Sequence, residues 1–175
     1  MSAAQLSLIG SLCALLALPL PRCSAEEARP LSLECLLTMT RCELEALYRE
    51  AKAPACLDGC FRGLSLRRSG TKLAKSSAGT AGLLWKGKRF CAASGTLVNI
   101  WGLGVEAVEA QVCPGESWVD GKPALIMDYR GSSPIVWRNV RDELREVAPG
   151  LYLGVMVQDR KSGPKVGQFF ALEAE

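Results

Sequence analysis

The chain has 175 residues, 49% of them hydrophobic and 22% charged, with a formal net charge of +3. That length suits one ordinary domain and is too short for two large ones. Histidine is absent, which excludes histidine-based triads, histidine metal ligands and the usual imidazole proton shuttle.

Residues 6–18, LSLIGSLCALLAL, form an apolar run too short to cross a bilayer. Pro19 and Pro21 follow, and Cys23 and Ala25 occupy small-residue positions. Residues 1–25 therefore read as a signal or targeting segment cut near Ala25, although no Lys or Arg precedes the apolar run. An uncleaved anchor, or the first part of an organelle leader, would share these features. The expected location is outside the cell or in an oxidising compartment, an organelle lumen included.

Cleavage there leaves Cys35, Cys42, Cys56, Cys60, Cys91 and Cys113. An even number in an exported chain predicts disulfides, with the pairing left open. Four of the six lie between residues 35 and 60, so residues 26–60 are expected to form a stapled helical cap. The Cys35 to Cys42 step and CLDGC at 56–60 match neither common cysteine-only zinc knuckles nor the C-x-x-C redox motif, so no metal is expected. Within the cap, Thr40 and Glu43 have capping-box spacing ahead of Leu44, Leu47 and Tyr48. Those three residues make one apolar helix face, suited to lying on a sheet or over the mouth of a barrel.

From Phe61 the pattern changes to short period-two runs cut by glycine-containing turns. Leu64 and Leu66 alternate with polar neighbours, and Val108, Ala110 and Val112 share one face of 104–112. Pro114-Gly115 and Asp120-Gly121 read as turns, the second leading into PALIMDY at 123–129. IVWRNV, DELREV, LYLGVMV at 151–157 and VGQFFALE follow, with Pro149-Gly150 and Gly163-Pro164 between the last of them. Seven or eight strands result, and a helical interruption is possible at 72–84. Connections this short leave no room for crossover helices, so neighbours are antiparallel.

A meander of this size must bury one face and protect its edges. The fold expected is mainly β, a small antiparallel up-and-down barrel of calycin-like form or a strongly curved sheet. The N-terminal helix would pack on the 61–175 unit as part of one globule. An open α+β antiparallel sheet is the alternative.

Three groups of residues could carry function. In the first, Leu125, Met127 and Tyr129 share one face of their strand, and Arg141, Glu143 and Arg145 share one face of another. Inside a barrel, that charged set would hold a ligand's polar end. On a solvated face it would only stabilise neighbouring strands. An acid-base enzyme would use Asp128 or Glu143 with Tyr129 or Tyr152, since burial can raise a carboxyl pKa toward neutrality. The spacing does not demand that chemistry.

In the second group, residues 61–90 carry Arg62, Arg67, Arg68, Lys72, Lys75, Lys86, Lys88 and Arg89 and no acid. Such a basic surface would face an anionic membrane or an acidic protein partner. Nucleic acid is not expected, because aromatic residues do not interleave with these bases. In the third group, Trp85, Trp101, Trp118 and Trp137 recur about one hairpin apart. With Leu125, Met127, Met156 and Phe169 they either fill a core or line a cavity for an apolar or ring-containing molecule. No nucleotide loop is present, and no cofactor is implied.

WKGKRF at 85–90, LVNIWGLG at 97–104, ESWVDGKPALIMDYR at 116–130, VRDELREVAPGLYLG at 140–154 and FFAL at 169–172 resemble a little-characterised group of small proteins sharing DGKPALIMDY-like and RDELREVAPGLYLG-like segments. The resemblance covers residues 43–173 and is most specific at 141–154. It implies a coherent domain in which Asp128, Tyr129, Arg141, Asp142, Glu143, Arg145, Tyr152 and Gly154 are recurrent pattern residues. It carries no assigned activity, and the six cysteines are not part of the pattern. The leading expectation is non-catalytic binding of a small apolar or amphipathic molecule. The others are an accessory or structural subunit of a larger assembly, membrane-associated or not, and an acid-base enzyme using Asp128 or Glu143.

Overall fold

A computed structural model describes residues 30–67, 69–71, 84–131 and 135–175. The leader expected at 1–25, the basic residues Arg68, Lys72 and Lys75, and the helical interruption proposed for 72–84, apart from Leu84, lie outside the described residues. Two short helices come first, α1 (Leu33–Thr38) and α2 (Arg41–Glu50). Eight strands follow: β1 (Gly59–Ser65), β2 (Trp85–Cys91), β3 (Thr96–Trp101), β4 (Glu106–Glu116), β5 (Pro123–Asp128), β6 (Val140–Ala148), β7 (Leu151–Gln158) and β8 (Lys165–Ala174). Each pairs antiparallel with the next, and β1 pairs with β8 from Phe61↔Ala174 to Ser65↔Phe170. The sheet is thus a closed up-and-down barrel, and the open-sheet alternative is set aside by that last pairing.

Period-two alternation sorts the side chains. Phe61, Phe90, Leu97, Ala110, Leu125, Leu144, Tyr152 and Leu172 point inward and fill one half of the barrel. Leu151, Leu153, Val155, Val157, Phe169 and Ala171 point outward, yet they are buried because the helices cover β7 and β8. Strands β6 to β8 therefore have two buried faces, which gives LYLGVMV its continuous apolar run.

Helix α2 starts where the sequence predicts. Thr40 and Glu43 form a reciprocal capping box, with Thr40 N donating to Glu43 Oε2 at 2.7 Å and Glu43 N donating to Thr40 Oγ1 at 3.3 Å. The apolar face then buries Leu44 and Tyr48 against the outer wall, beside Leu33 and Leu36 of α1. At about 1.5–3 kcal/mol for each large apolar side chain fully buried, this contact alone can hold the cap in place.

The predicted staples are absent. No Sγ–Sγ bond joins Cys35, Cys42, Cys56, Cys60, Cys91 or Cys113, and the cap is held by packing. For three of the cysteines, register supplies a reason. Cys91 pairs with Thr96, which pairs with Gln111; that puts Gln111 about 9–10 Å away at ordinary strand spacing, and Cys113, two residues further along β4, beyond it. Cys60 stands opposite Arg89, diagonal to Cys91 at roughly 7–8 Å. Both separations exceed the reach of a disulfide.

Pro114-Gly115 is not a turn but part of β4, paired with Leu125 and Ala124 of β5. The β3 pairing of β4 ends at Gln111. Pro114 therefore sits where β4 has a ladder partner on one side, as on an edge strand, and its missing N–H removes no ladder bond.

Candidate functional site

One end of the barrel is filled and the other is hollow. The hollow end is bounded by the end of β1, the start of β2, the β3–β4 connection, the segment between β5 and β6, and the β7–β8 hairpin. It holds a cavity of about 280 Å³ lined by Trp85, Trp101, Trp137, Met156 and Phe170, with Leu84, Ser65, Arg67 and Gln168 toward the opening. That volume is at the small end of the range for ligand pockets.

Local irregularities in the strands build this space. Residue pairing between β2 and β3 shifts between Trp85 and Gly87, a bulge that leaves Lys86 unpaired and lets Trp85 and Lys88 both face inward. Gly87 has φ +151, and any side chain on it would collide with the Phe61 carbonyl. Gly63 and Gly154 make room in another way. A methyl group on Gly63 would lie 2.6 Å from the Trp85 ring, and one on Gly154 would overlap the Phe170 ring.

Between the cavity and the filled half lies a polar layer. The Lys88 ammonium donates to Asn99 Oδ1 at 2.9 Å, Tyr129 OH at 2.6 Å and Asp142 Oδ2 at 2.9 Å. Its three N–H groups are thereby all used. The Tyr129 hydroxyl donates to Asp142 Oδ2 at 2.9 Å, and Trp85 Nε1 donates to Asn99 Oδ1 at 3.0 Å. Asn99 Nδ2 donates to the Val108 carbonyl at 2.8 Å. Val108 is the unpaired residue of a second bulge, with φ +64, so its carbonyl is free to accept. The Lys88 side chain is 2% exposed and that of Asp142 10%. Among the described residues, no buried side-chain polar atom lacks a partner. Burial, followed by the Asp142 charge, holds the Tyr129 phenol well above its usual pKa, which keeps it a neutral donor.

Lys88 is therefore not part of a basic surface. It shares parity with Phe90 and points into the barrel, where it sits within 5.3–5.6 Å of the Trp85, Tyr129 and Phe170 ring centroids. Arg62 and Arg89 are on the outside, paired with Glu173 and Glu106. Lys86 is exposed, and Arg67 is exposed at the mouth.

Arg141, Glu143 and Arg145 do share a face, but it is the outer one. Glu143 accepts from Tyr48 OH at 3.3 Å, Trp118 N at 2.8 Å and Arg141 Nε at 2.8 Å, and also from the Ser117 hydroxyl. Arg145 makes five hydrogen bonds, to the Pro123, Tyr48 and Lys122 carbonyls and to both oxygens of Asp120. This cluster rivets α2 and the β4–β5 turn to the barrel wall, and it does not reach the cavity. Of the remaining predicted ligand residues, Trp137 and Met156 line the cavity. Leu125 and Met127 belong to the interior core. Phe169 faces the helices, while its neighbour Phe170 faces the cavity.

The catalytic candidates are dispersed. Asp128 pairs with Arg130, whose hydrogen bonds hold its carboxyl below the usual range. That is opposite to what a general acid needs. Glu143 lies outside the wall, Tyr152 is in the filled half, and Tyr129 alone lines the cavity. The carboxylate facing the cavity is Asp142.

No known family model matches the chain, and no curated protein is similar to it. A crystal structure of a protein from Thermomonospora curvata is similar in fold, with a TM-score of 0.52 and 22% identity over 78% of this chain and 88% of that one. At that identity the likeness bears on the barrel alone. It is consistent with membership of a little-characterised group.

Proposed function

We propose that the barrel binds one small apolar or amphipathic molecule in its hollow half without transforming it. The carrying observation is the arrangement of that half: three tryptophans, Met156 and Phe170 around a 280 Å³ space, floored by a polar layer that satisfies itself. Aromatic walls grip a ring or a short chain through area and edge contacts. The Lys88 ammonium has its donors committed, so the floor asks nothing of the ligand and offers no idle acid or base. The ligand's polar end lies at the mouth, near Ser65, Arg67 and Gln168, rather than at Arg141, Glu143 and Arg145.

Mass spectrometry of small molecules that co-purify with the protein from its native source tests this reading. One compound near one equivalent, with an apolar ring or chain, is the expected result. An empty barrel, together with unchanged tryptophan fluorescence against a panel of apolar and amphipathic compounds, would overturn it.

A further inference from the structure

Six large apolar side chains are exposed among the described residues, and five of them, Leu84, Leu103, Val105, Ile135 and Val136, are at the hollow end. They are 54–103% exposed and stand on three separate segments around the opening. Leu103 holds a left-handed backbone, φ +62, with its side chain fully in water. A non-glycine residue in that conformation is unfavourable. The sixth, Trp118, lies on the outer wall, where the Arg141 guanidinium stacks 3.8 Å from its ring centroid.

Charge divides along the same axis. The hollow end exposes Arg67, Lys86, Arg130, Arg138, Arg160, Lys161 and Lys165 against Glu106 and Asp159, whereas the filled end exposes Asp58, Glu116 and Glu175 against Lys52 and Lys122. Contiguous exposed apolar surface marks an interaction site, and a basic surround adds attraction to anionic headgroups.

We infer that the hollow end docks on an anionic lipid surface, with the five apolar side chains entering the interfacial layer and the mouth opening onto it. The inference stands apart from ligand binding, since it rests on the rim and on charge. A lipid surface fits better than a protein partner because the apolar groups are single side chains around an opening. A bilayer can surround such tips without a complementary solid surface. The contact is end-on, because five of the six exposed apolar side chains ring the opening, while the wall carries Trp118 alone, covered by Arg141, and the Arg62–Glu173 ion pair.

Sedimentation of the full chain with vesicles of phosphatidylcholine, with and without phosphatidylserine, tests the inference. Binding is expected to favour the anionic vesicles and to fall when salt rises from about 0.1 to about 1 M, which shortens the Debye length from about 10 to about 3 Å. The triple substitution Leu103→Ser, Ile135→Ser and Val136→Ser should lower the partition coefficient by about tenfold or more. The pair Lys161→Glu and Lys165→Glu should lower it selectively for anionic vesicles. Dependence on the rim is the deciding readout, because the apolar run at 6–18 is present in every variant. Circular dichroism checks that each variant is folded. Partition of the rim variants equal to that of the parent would overturn the inference, as would a stoichiometric complex with an acidic protein through these residues in the absence of vesicles.

Discussion

Replacing Lys88 by methionine tests the polar layer most sharply. Lys88 and Asp142 are 2% and 10% exposed and meet at 2.9 Å, so solvent screening does little to soften the loss. The substitution keeps the side chain's length but leaves the Asp142 carboxylate buried with Tyr129 as its remaining partner in this layer. Removing one member of a buried pair costs about 3–5 kcal/mol. For a domain of this size, that corresponds to roughly 10–15 °C in Tm. Adding Asp142→Leu removes the stranded charge, and the double variant should recover about 2–4 kcal/mol relative to additivity. Urea denaturation of the four proteins in the cycle measures both quantities. A loss below about 1 kcal/mol for Lys88→Met, or strict additivity in the double variant, would refute the reasoning, because typical buried pairs behave otherwise.

Three further outcomes follow from the geometry. Gly154→Ala places a methyl group where the Phe170 ring stands; it should cost about 1–3 kcal/mol by overpacking and weaken ligand binding as the ring is pushed into the cavity, both readable from calorimetric titration and thermal melts. The chain's three tyrosines, Tyr48, Tyr129 and Tyr152, all have raised pKa values, with burial the largest cause in each. Their native preference for the neutral phenol is intact below about pH 10 and is lost as pH rises above it. Tyrosinate absorbance from Tyr48 and Tyr129 should therefore appear only with cooperative unfolding, and smooth ionisation of all three tyrosines near pH 10 in the folded protein would contradict this. Asp120 is depressed chiefly by its hydrogen bonds to Arg145. Its contribution is present above its unfolded pKa of about 3.8–3.9 and is lost as pH falls through the lower folded value. The acid limb of stability against pH should then be shallower in Asp120→Asn, as measured by urea midpoints below about pH 4.

The barrel was legible because alternation and turn chemistry agreed along most of the chain, and the capping box at Thr40 and Glu43 marked α2 to the residue. The site was legible only in part. Lys88 shares parity with Phe90, a signal available in WKGKRF, but the eight bases between residues 61 and 90 mask it as surface charge. The bulge at Lys86 then moves Trp85 to the same side, which simple alternation does not reveal. On β6 both faces are buried, one in the barrel and one beneath α2. Polarity therefore cannot tell Asp142 from Glu143, and Arg141, Glu143 and Arg145 look like an interior set. Phe169 and Phe170 pose the same tie. The disulfide expectation came from counting cysteines, and a count carries no information on the register that separates Cys91 from Cys113.

The hollow half itself is the central claim, and filling it is the most direct test. Met156→Trp adds bulk inside the cavity wall, at a partly buried position that lines that space, and leaves the Lys88 layer in place. Titration with an anilinonaphthalene sulfonate probe, an amphipathic ring compound, compares the two proteins. Saturable enhancement near one equivalent in the parent, with most of it lost in a folded Met156→Trp protein, is the predicted result. Equal probe uptake by both would contradict the account by placing the binding somewhere other than the barrel.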